Sequence, residues 1–307
     1  MYLDGDSSIL ITGASGFVGQ SILDYMSNSE AIYGKRITLI ANRSLPILTT
    51  KLKEKYKIQF IQKDLMKEWG SFGDFTHFIN LAGDGTEDPY SIQSGEKFLR
   101  ISRNAVKWIN NQDLNVFHAS SGATLGYVPI DTKATNVWNK ENFIRYRLEA
   151  EDSFLSEAIP HANVRIGKLF SFMGPRIVSK KQYAINQFID GAITTGVVNL
   201  KGDSRTIRSY LWCDNMAEWI LKSFLSPSDS ILNIGSSVGV SMVELGKYIA
   251  SKTGASLEIS TDFETGDIYV APNEDTLKLL GVSEGLSWME QVDELMQKRT
   301  AEAKHGY

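Results

Sequence analysis

The sequence predicts an α/β protein whose core is a doubly wound parallel sheet, with a smaller α/β lobe interleaved toward the C-terminus. One observation is that short apolar, β-rich runs alternate with longer helix-like segments through the first half of the chain. Another is that the first of these runs leads through three regularly spaced glycines into a helix-compatible segment. The third is a change of rhythm after Gly174-Pro175, where longer polar stretches separate the apolar runs.

The first strand and the turn after it carry the clearest functional signal. Ile9 to Ile11 precede Gly13, Gly16 and Gly19, and a helix-compatible segment follows them. Gly13 suits a tight turn, Gly16 lets backbone amides approach a pyrophosphate, and Gly19 lets the helix pack on the strand. The unpaired N–H groups and the dipole of the helix then face the anion. The pattern predicts a dinucleotide site rather than an ordinary glycine turn, although its spacing, Gly-x-x-Gly-x-x-Gly, differs from the dehydrogenase fingerprint Gly-x-Gly-x-x-Gly.

The other predicted strands of the first half leave room for helices between them. They are Ile37 to Ile40, Ile58 to Ile61, His77 to Leu81, Val116 to His118 and Val164 to Ile166. Glu96 to Asn110 has apolar residues at spacings of three and four, which predicts an amphipathic helix, and the segment around Leu148 to Ala158 does likewise. This alternation predicts parallel strands joined by crossover helices.

The C-terminal part predicts a second, smaller lobe that is not separated from the first by a linker. Its predicted elements are strand-like runs at Val197 to Leu200, Tyr210 to Cys213 and Ile231 to Ile234, and helices from Asn215, from Ser241 to Ser251 and from Ser287 to Arg299.

Composition limits the classes of function. A chain of 307 residues with 42% hydrophobic residues is long and apolar enough to bury a full core. The net charge of −4 argues against a nucleic-acid partner, which normally requires a basic patch. The single cysteine, Cys213, excludes an intramolecular disulfide and a cysteine-rich metal site, so we expect no metal and a reducing cytoplasm. The N-terminus lacks a signal-peptide pattern and no apolar run approaches ~20 residues, so we expect no membrane partner.

Seven short pieces, taken in order, carry a family resemblance. They are Thr12 to Gly19, Lys63 to Leu65, Asn80 to Gly83, Ser120 to Gly126, Gly174-Pro175, Arg208 to Asp214 and Leu232 to Gly235. Together they resemble the extended short-chain dehydrogenase/reductase family, in particular its NAD-dependent epimerases, dehydratases and reductases of nucleotide sugars. The resemblance implies a Rossmann-type NAD(P)-binding domain over residues 1–167 and a mainly substrate-binding lobe over 168–307, with 210–236 returning to the first domain. It also implies a nucleotide-sugar substrate and is compatible with a homodimer.

The resemblance assigns binding roles position by position. The implied cofactor-binding residues are Gly13, Ser15, Gly16, Phe17, Val18, Gly19, Asn42, Arg43, Asp64, Leu65, Leu81, Ala82, Gly83 and Arg147. The implied substrate-binding residues are Ser121, Gly122, Ala123, Phe143, Ser171 and Arg208. For Asp64, a hydrogen bond to the adenine amino group and a helix N-cap are both open. For Arg208, a grip on the sugar nucleotide's diphosphate competes with a plain surface arginine.

The end of the second strand bears on which nicotinamide cofactor fits. NAD-preferring relatives usually carry an acidic residue there, which accepts from the ribose hydroxyls and repels a 2′-phosphate. Here Ile40 is followed by Ala41, Asn42 and Arg43, so a carboxylate is replaced by neutral residues with a cation nearby. NADP is therefore favoured over NAD, with a solvated Arg43 as the alternative.

The resemblance implies a catalytic Ser or Thr, with a Tyr and a Lys written Tyr-x-x-x-Lys on one helix. The Tyr exchanges a proton with a sugar hydroxyl, the Lys lowers the pKa of the Tyr and holds the ribose, and the Ser orients the substrate oxygen. Ser121 fits the hydroxyl position. The family continuation Ser-Lys-Leu-x-Ala-Glu matches Tyr146 to Glu151, which places Phe143 at the Tyr position and Arg147 at the Lys position. The dyad is therefore broken.

Other proton donors stay open at this stage. If Tyr146 takes the Tyr role, Ala150 occupies the Lys position and the cation is lost. Tyr146 also lies about 60° around the helix and ~4.5 Å along it from Phe143, whereas Arg147 shares the face of Phe143. Tyr127 is another candidate, and a half-buried aromatic is the alternative for both tyrosines.

Two functions follow from these residues. We predict an NAD(P)-dependent nucleotide-sugar epimerase, dehydratase or 4-keto reductase with a non-standard catalytic set, for which Ser121, Tyr146 and Arg147 are the catalytic candidates. Lys168 and Ser171 stand where relatives often have Arg and Asn, which predicts altered substrate contacts. The alternative is a protein that binds a nucleotide or sugar nucleotide and has lost the chemistry.

Overall fold

The computed structural model describes residues 7–31, 34–42, 44–83, 88–110, 112–130, 141–156, 162–176, 183–260 and 266–305. In these residues the helices are α1 Phe17–Asn28, α2 Thr50–Lys55, α3 Ile92–Ile109, α4 Glu141–Ser156, α5 Ala184–Thr194, α6 Cys213–Lys222, α7 Met242–Thr253, α8 Glu274–Leu280 and α9 Trp288–His305. The strands are β1 Ser8–Thr12, β2 Arg36–Ala41, β3 Lys57–Gln62, β4 His77–Asn80, β5 Asn115–Ser121, β6 Val128–Pro129, β7 Asn163–Leu169, β8 Phe172–Met173, β9 Val197–Leu200, β10 Ile207–Ser209, β11 Leu211–Trp212, β12 Ser230–Ile234, β13 Gly239–Ser241, β14 Ser256–Ile259 and β15 Asp267–Tyr269.

The central sheet confirms the predicted fold class. Within the described residues it has seven strands in the order β12-β7-β5-β4-β1-β2-β3, and every neighbouring pair is parallel. The chain starts in the middle at β1, runs outward to β3, and then continues on the other side of β1 through β4. Such a reversal of strand order opens a crevice at the carboxyl ends of the strands, where α/β proteins bind ligands.

Helices cover both faces of this sheet, and the alternation of side chains in β1 shows why its run is apolar throughout. Ile9 and Ile11 pack into one cluster together with α1 and α6. Leu10, which points to the opposite face, packs into a second cluster with α3 and with Phe154 of α4. A strand buried on both faces has no polar side to show, so it appears in sequence as a continuous apolar run.

The C-terminal lobe is interleaved with the central sheet. Its described strands form a four-stranded sheet in the order β13-β10-β15-β6 and the two-stranded pairs β11-β8 and β14-β9. The chain crosses between the two parts in both directions, because β6 pairs with β15 of the lobe while β12 pairs with β7 of the central sheet. The strand-like run at 210–213 is shorter than expected, since α6 already begins at Cys213 and has the acidic Asp214 in its first turn, where the helix dipole favours it.

Among the described residues, no helix combines the length and the apolar character that crossing a bilayer would require.

Candidate functional site

The predicted site residues gather at the carboxyl edge of the central sheet. The glycine turn follows β1, Asn42 follows β2, Asp64 follows β3, Leu81 follows β4, and Ser121 ends β5. Because these five strands are parallel neighbours, their ends meet along one edge. Residues spread over more than a hundred positions of sequence are thereby brought to one crevice.

Two of the three glycines are required by contacts within the chain itself. Gly13 has φ of +70°, and a Cβ there would lie 2.6 Å from the Leu81 carbonyl oxygen. A Cβ at Gly19 would lie 2.6 Å from both the Ala14 Cα and the Gly13 carbonyl oxygen. The turn therefore packs tightly against β4, and the first turn of α1 packs tightly against the end of β1.

Gly16 differs from both, because it leaves space above the start of α1. It is the N-cap of α1 with φ of −75° and ψ of 170°, and a Cβ there would meet only the Gly13 carbonyl oxygen, at 3.3 Å. No side chain in the described part of the chain caps this helix end, and Ser15 and Gly16 are exposed. The amides of the first turn, at Phe17 and Val18, thus lie at an open helix N-terminus, which suits a diphosphate.

The strand ends beside the turn offer fewer fixed groups. Asn42 is exposed, and its carbonyl oxygen accepts from Gln62 Nε2 at 3.2 Å; Arg43 lies outside the described residues. The Asp64 carboxylate accepts from the Met66 backbone N–H at 3.0 Å, which closes a local turn rather than capping a helix. The Leu65 carbonyl oxygen accepts from Trp69 Nε1 at 3.1 Å, so this backbone is held from inside.

The backbone after β4 is held close to the glycine turn. The Leu81 N–H donates to the Thr12 carbonyl oxygen at 3.3 Å, and Ala82 is buried. Gly83 is exposed, and a Cβ there would meet nothing within 4 Å. This stretch therefore leaves open space in front of the turn, as expected for a chain that borders a cofactor.

Ser121 begins the short 3₁₀ turn Gly122–Leu125. Its Oγ accepts from the Ala123 N–H at 3.2 Å. Gly122 and Ala123 are buried, and a Cβ at Gly122 would lie 2.5 Å from the Phe170 ring. Gly122 and Ala123, which were predicted to bind substrate, are thus buried inside this turn. Ser121 is the residue of the turn with an accessible hydroxyl.

The helix α4 brings Phe143 and Arg147 together. The Arg147 guanidinium carbon lies 3.7 Å from the Phe143 ring centroid and 4.2 Å from that of Phe98 on α3. A guanidinium stacked on aromatic faces keeps its charge and much of its hydrogen-bonding capacity. The cation expected at the Lys position is therefore present, and Phe143 provides a stacking surface for it.

Tyr146 lies between α3 and α4 rather than at the strand ends. Its side chain is buried with Phe98, Leu99 and Ala150, and its ring fills the space that a Cβ at Gly95 would occupy. This is the location of a packing residue.

A buried ionic network lies behind the Ser121 turn, and sequence reasoning missed it. Lys168 Nζ is 3.2 Å from Glu151 Oε2, and the two side chains are 7% and 5% exposed. Ser120 Oγ donates to Glu151 at 2.5 Å, and Lys168 donates to Thr124 Oγ1 at 2.8 Å. The position where relatives often have Arg is thus turned away from the crevice and ties β7 to α4 and to the 3₁₀ turn. The sequence signal for this network was a lysine just after the predicted strand 164–166 and an acidic residue on the helix before it, and the structure shows that the two are paired.

Arg208 is paired with a carboxylate of its own lobe. Its Nη1 lies 2.5 Å from Asp267 Oδ1 and donates to the Ile207 and Asp267 carbonyl oxygens at 2.9 and 3.1 Å. The guanidinium is partly buried, so it is not a plain surface arginine, but part of its donor capacity is already in use. Ser171 lies at the bend after β7, where its carbonyl oxygen accepts from the Leu211 N–H at 3.1 Å.

Tyr269 brings a phenol to the Ser121 turn. It is the register partner of Arg208 in the parallel pair β10 and β15, and the Arg208 guanidinium lies 6.0 Å from its ring centroid. Its ring packs between Tyr127 and Phe170, at centroid distances of 4.8 and 4.9 Å. Its hydroxyl donates to the Leu169 carbonyl oxygen at 3.4 Å, and Leu169 is the register partner of Ser121 in the pair of β5 and β7.

Burial dominates the titration of these phenols. It raises the pKa of Tyr269 to about 12, and the contact with Ser121 and the charge of Arg208 only partly oppose it. Burial also raises the pKa of Tyr127, which stacks on Tyr269. The Tyr90 ring lies 5.3 Å from that of Phe143, and burial raises the pKa of Tyr90 against the charges of Arg208 and Arg147.

Comparison with known proteins gives one family and several structural likenesses. A model of the family described as the NAD dependent epimerase/dehydratase family matches residues 9–235. UDP-glucuronic acid decarboxylase 6 of Arabidopsis thaliana is 20% identical over 308 residues, which cover 95% of this chain and 86% of that protein.

Two examples illustrate the solved structures that share the fold. The UDP-N-acetylglucosamine 4-epimerase from Methanobrevibacter ruminantium M1, in complex with UDP-N-acetylmuramic acid, superposes with a TM-score of 0.79 at 18% identity, covering 97% of this chain and 100% of that one. The UDP-glucuronic acid 4-epimerase from Bacillus cereus, in complex with UDP-glucuronic acid and NAD, gives 0.75 at 15% identity, covering 96% and 99%.

Proposed function

Because the chain belongs to the NAD dependent epimerase/dehydratase family, we propose that it is an enzyme that uses a nicotinamide dinucleotide to modify a sugar linked to a nucleoside diphosphate. One observation carries the proposal. The uncapped N-terminus of α1 and the Ser121 hydroxyl stand at the same sheet edge, at the ends of β1 and β5, with only β4 between them. An anion site and a substrate-orienting hydroxyl are the two parts that such an enzyme needs side by side.

The residues at this edge have separate tasks in the proposal. The amides at the start of α1 hold the diphosphate of the dinucleotide, and Asp64 and the backbone from Leu81 to Gly83 border its adenosine and ribose. Arg147 holds the nicotinamide ribose, since its guanidinium is a permanent cation fixed by stacking on the rings of Phe143 and Phe98. When bound, the dinucleotide supplies hydride donation or acceptance at a sugar carbon.

We propose that the dinucleotide is NADP rather than NAD. No carboxylate follows β2, where Asn42 is exposed, and Arg43 adds a cation in the sequence at this end. A carboxylate at this place would repel a 2′-phosphate, and its replacement removes that penalty. The Bacillus cereus epimerase holds NAD, so NADP would distinguish this chain from that relative.

We propose that Arg208 contacts the substrate's diphosphate. Its guanidinium lies on the lobe side of the crevice, and Asp267 fixes its orientation at 2.5 Å. Because Asp267 is buried and holds one edge of the Arg208 guanidinium, the plane of the guanidinium has a fixed orientation. Such preorganisation suits bidentate contact with phosphate oxygens. The related proteins from Methanobrevibacter ruminantium and Bacillus cereus are named for UDP-sugars. UDP-sugars are therefore the first substrates to test.

A second candidate is a protein that binds the sugar nucleotide without converting it. The observation that favours it is that Phe143 has no hydroxyl and that Arg147, which does not titrate near neutral pH, is stacked on its ring. Turnover of a nucleotide sugar that depends on Ser121 would decide against this candidate.

The experiment that tests the proposed function uses Gly16→Ala. Its dihedral angles suit alanine and the added methyl meets only one backbone atom, so we expect the variant to fold, while the methyl intrudes on the diphosphate. Affinity for NADPH, measured by fluorescence titration, should fall by about tenfold or more, which is ~1.4 kcal/mol. Gly202→Ala is the matched control, because a Cβ there would meet nothing within 4 Å and it lies in the lobe after β9.

Conversion is tested with the wild-type protein. Incubation with UDP-sugars and either dinucleotide is followed by mass spectrometry and NMR of the products. If the wild-type protein binds neither NADPH nor NADH, or if Gly16→Ala and Gly202→Ala bind NADPH equally well, the proposed cofactor site is wrong.

A further inference from the structure

The crevice has the Ser121 hydroxyl, which can orient a substrate, and the Arg147 cation. It lacks a proton donor at position 143, where Phe143 stands in place of a tyrosine. A replacement must bring an acidic proton to the oxygen that Ser121 holds, and it must be fixed in place before the substrate arrives. Tyrosines that border this region include Tyr90, Tyr127 and Tyr269.

Tyr269 meets the geometric requirement. Its hydroxyl donates to the Leu169 carbonyl oxygen at 3.4 Å, and Leu169 is the register partner of Ser121 in the parallel pair of β5 and β7. An oxygen that binds Ser121 is thus placed next to this phenol as well. The ring is held between Tyr127 and Phe170 and is 9% exposed, so its orientation is fixed by packing.

The other two tyrosines meet it less well. Tyr90 is 40% exposed, and its ring packs on that of Phe143, so solvent reaches it more easily than the enclosed Tyr269. Tyr127 stacks on the Tyr269 ring, with 4.8 Å between the centroids. Tyr269 is the tyrosine whose hydroxyl the structure places on Leu169, beside Ser121.

We propose that Tyr269 is the catalytic proton donor of this site and that it serves the reduction of a sugar ketone carried by a nucleoside diphosphate. This inference rests on the proposed function and names the residue and the direction of its chemistry. The carbonyl carbon gains a hydride from the reduced nicotinamide dinucleotide, and the C=O π electron pair moves to the oxygen. That oxygen takes the proton from Tyr269 Oη. A sugar alcohol, an oxidised dinucleotide and a Tyr269 phenolate are left, and the phenolate is reprotonated from water.

The direction of the reaction, reduction of a ketone rather than oxidation of an alcohol, follows from the protonation state of Tyr269 in the free enzyme. Tyr269 Oη donates to the Leu169 carbonyl oxygen, which can only accept, so the phenol carries its proton in the free enzyme, and burial raises its pKa to about 12. A protonated phenol is ready to donate to a ketone oxygen, whereas oxidation of an alcohol would first require its removal. The neighbouring charge of Arg208, 6.0 Å from the ring, stabilises the phenolate that donation leaves.

Tyr269→Phe removes one oxygen and keeps the ring that packs on Tyr127 and Phe170. The hydroxyl's bond to Leu169 is long, at 3.4 Å, so we expect the variant to fold with little change in its thermal midpoint. Tyr210→Phe is the matched control. Tyr210 is also buried with a pKa raised to about 12, but it belongs to the core of the lobe.

Two readouts test the inference. Binding of UDP-glucose and of UDP alone is measured by calorimetry, and Tyr269→Phe should weaken UDP-glucose about fivefold, the effect of one lost hydrogen bond, while UDP is unchanged. Turnover of a UDP-4-keto sugar with the reduced dinucleotide is measured in parallel. Here kcat should fall at least a hundredfold with KM within a few fold, as expected for loss of a general acid. Tyr210→Phe should match the wild type in both measurements.

Several outcomes overturn the inference alone, with the proposed function intact. These are wild-type turnover that Tyr269→Phe retains above one tenth, equal weakening of UDP and UDP-glucose, or a loss of kcat in Tyr127→Phe or Tyr90→Phe that Tyr269→Phe does not show. A wild-type protein that binds neither dinucleotide nor UDP-glucose overturns the proposed function and this inference with it.

Discussion

Acidification should destabilise this protein through one buried histidine. His118 of β5 is fully enclosed, with its ring stacked on Phe154 at 4.1 Å. Thr12 Oγ1 donates to Asn80 Oδ1 at 2.7 Å, which turns the amide nitrogen of Asn80 toward His118 Nδ1 at 3.0 Å. Nδ1 is then the acceptor and the single ring proton is on Nε2, which finds no hydrogen-bond partner in the described part of the chain. A second proton on this ring would face a donor and would be buried.

The size and sign of the effect follow from the pKa. Burial, helped by the charge of Arg147, lowers the pKa of His118 from 6.5 to about 3. Because the unfolded chain takes up a proton near pH 6.5 and the folded chain does not, stability is full above that pH and is lost as the pH falls toward 3. At about 1.36 kcal/mol per pH unit, the loss at pH 5 is about 2 kcal/mol.

The assay compares the wild type with His118→Gln, which keeps a polar group but does not titrate. Urea unfolding at pH 5, 6, 7 and 8 and constant ionic strength gives the free energy of unfolding of each protein. The difference between the two proteins should change by about 2 kcal/mol from pH 8 to pH 5, with the wild type losing more. Parallel pH dependences would refute the assignment of a neutral, buried His118.

Three further perturbations test other parts of the structure. Lys168→Met should lower the free energy of unfolding, measured with urea, by about 3–5 kcal/mol because it leaves the Glu151 carboxylate buried without its cation. Combining it with Glu151→Leu should recover much of that loss, and a double variant as unstable as the single one would contradict the ion pair. Asn42→Asp should lower the affinity for NADPH about tenfold and spare NADH in fluorescence titrations, and an unchanged preference would show that β2 does not border the adenosine ribose. Phe143→Tyr should give gained or altered redox activity and restore turnover to Tyr269→Phe, since its hydroxyl would enter beside a guanidinium; no change in either background would count against the register that places Phe143 at the tyrosine position.

The sequence was sufficient for the sheet and the glycine turn because both depend on local requirements. A strand buried on two faces must be apolar along its length, as β1 is. Gly13 needs a positive φ, and Gly19 needs the close approach of Ala14. Each of these constraints acts on a residue and its immediate neighbours, so the pattern of residue types reveals it.

The same reasoning could not place the groups whose partners come from other elements. Arg208 and Asp267 are 59 residues apart and meet only because β10 and β15 pair in parallel. Glu151 and Lys168 meet only where α4 crosses β7. Helical phase correctly put Phe143 and Arg147 on one face and Tyr146 on another, but it could not say which face would meet the crevice.

The location of the phenol bears on how the site works. A tyrosine on α4 would be part of the central domain, as are Ser121 and the glycine turn. Tyr269 belongs instead to β15 of the C-terminal lobe, in register with Arg208, which the proposed function assigns to the substrate's diphosphate. Arg208 and Tyr269 are therefore held at a fixed spacing by one pair of strands, and the packing of Tyr269 on Tyr127 and Phe170 sets its position before the substrate arrives. On this arrangement a sugar lacking the diphosphate loses turnover as well as affinity, because the contact between the diphosphate and Arg208 brings the ketone oxygen to Ser121 and Tyr269.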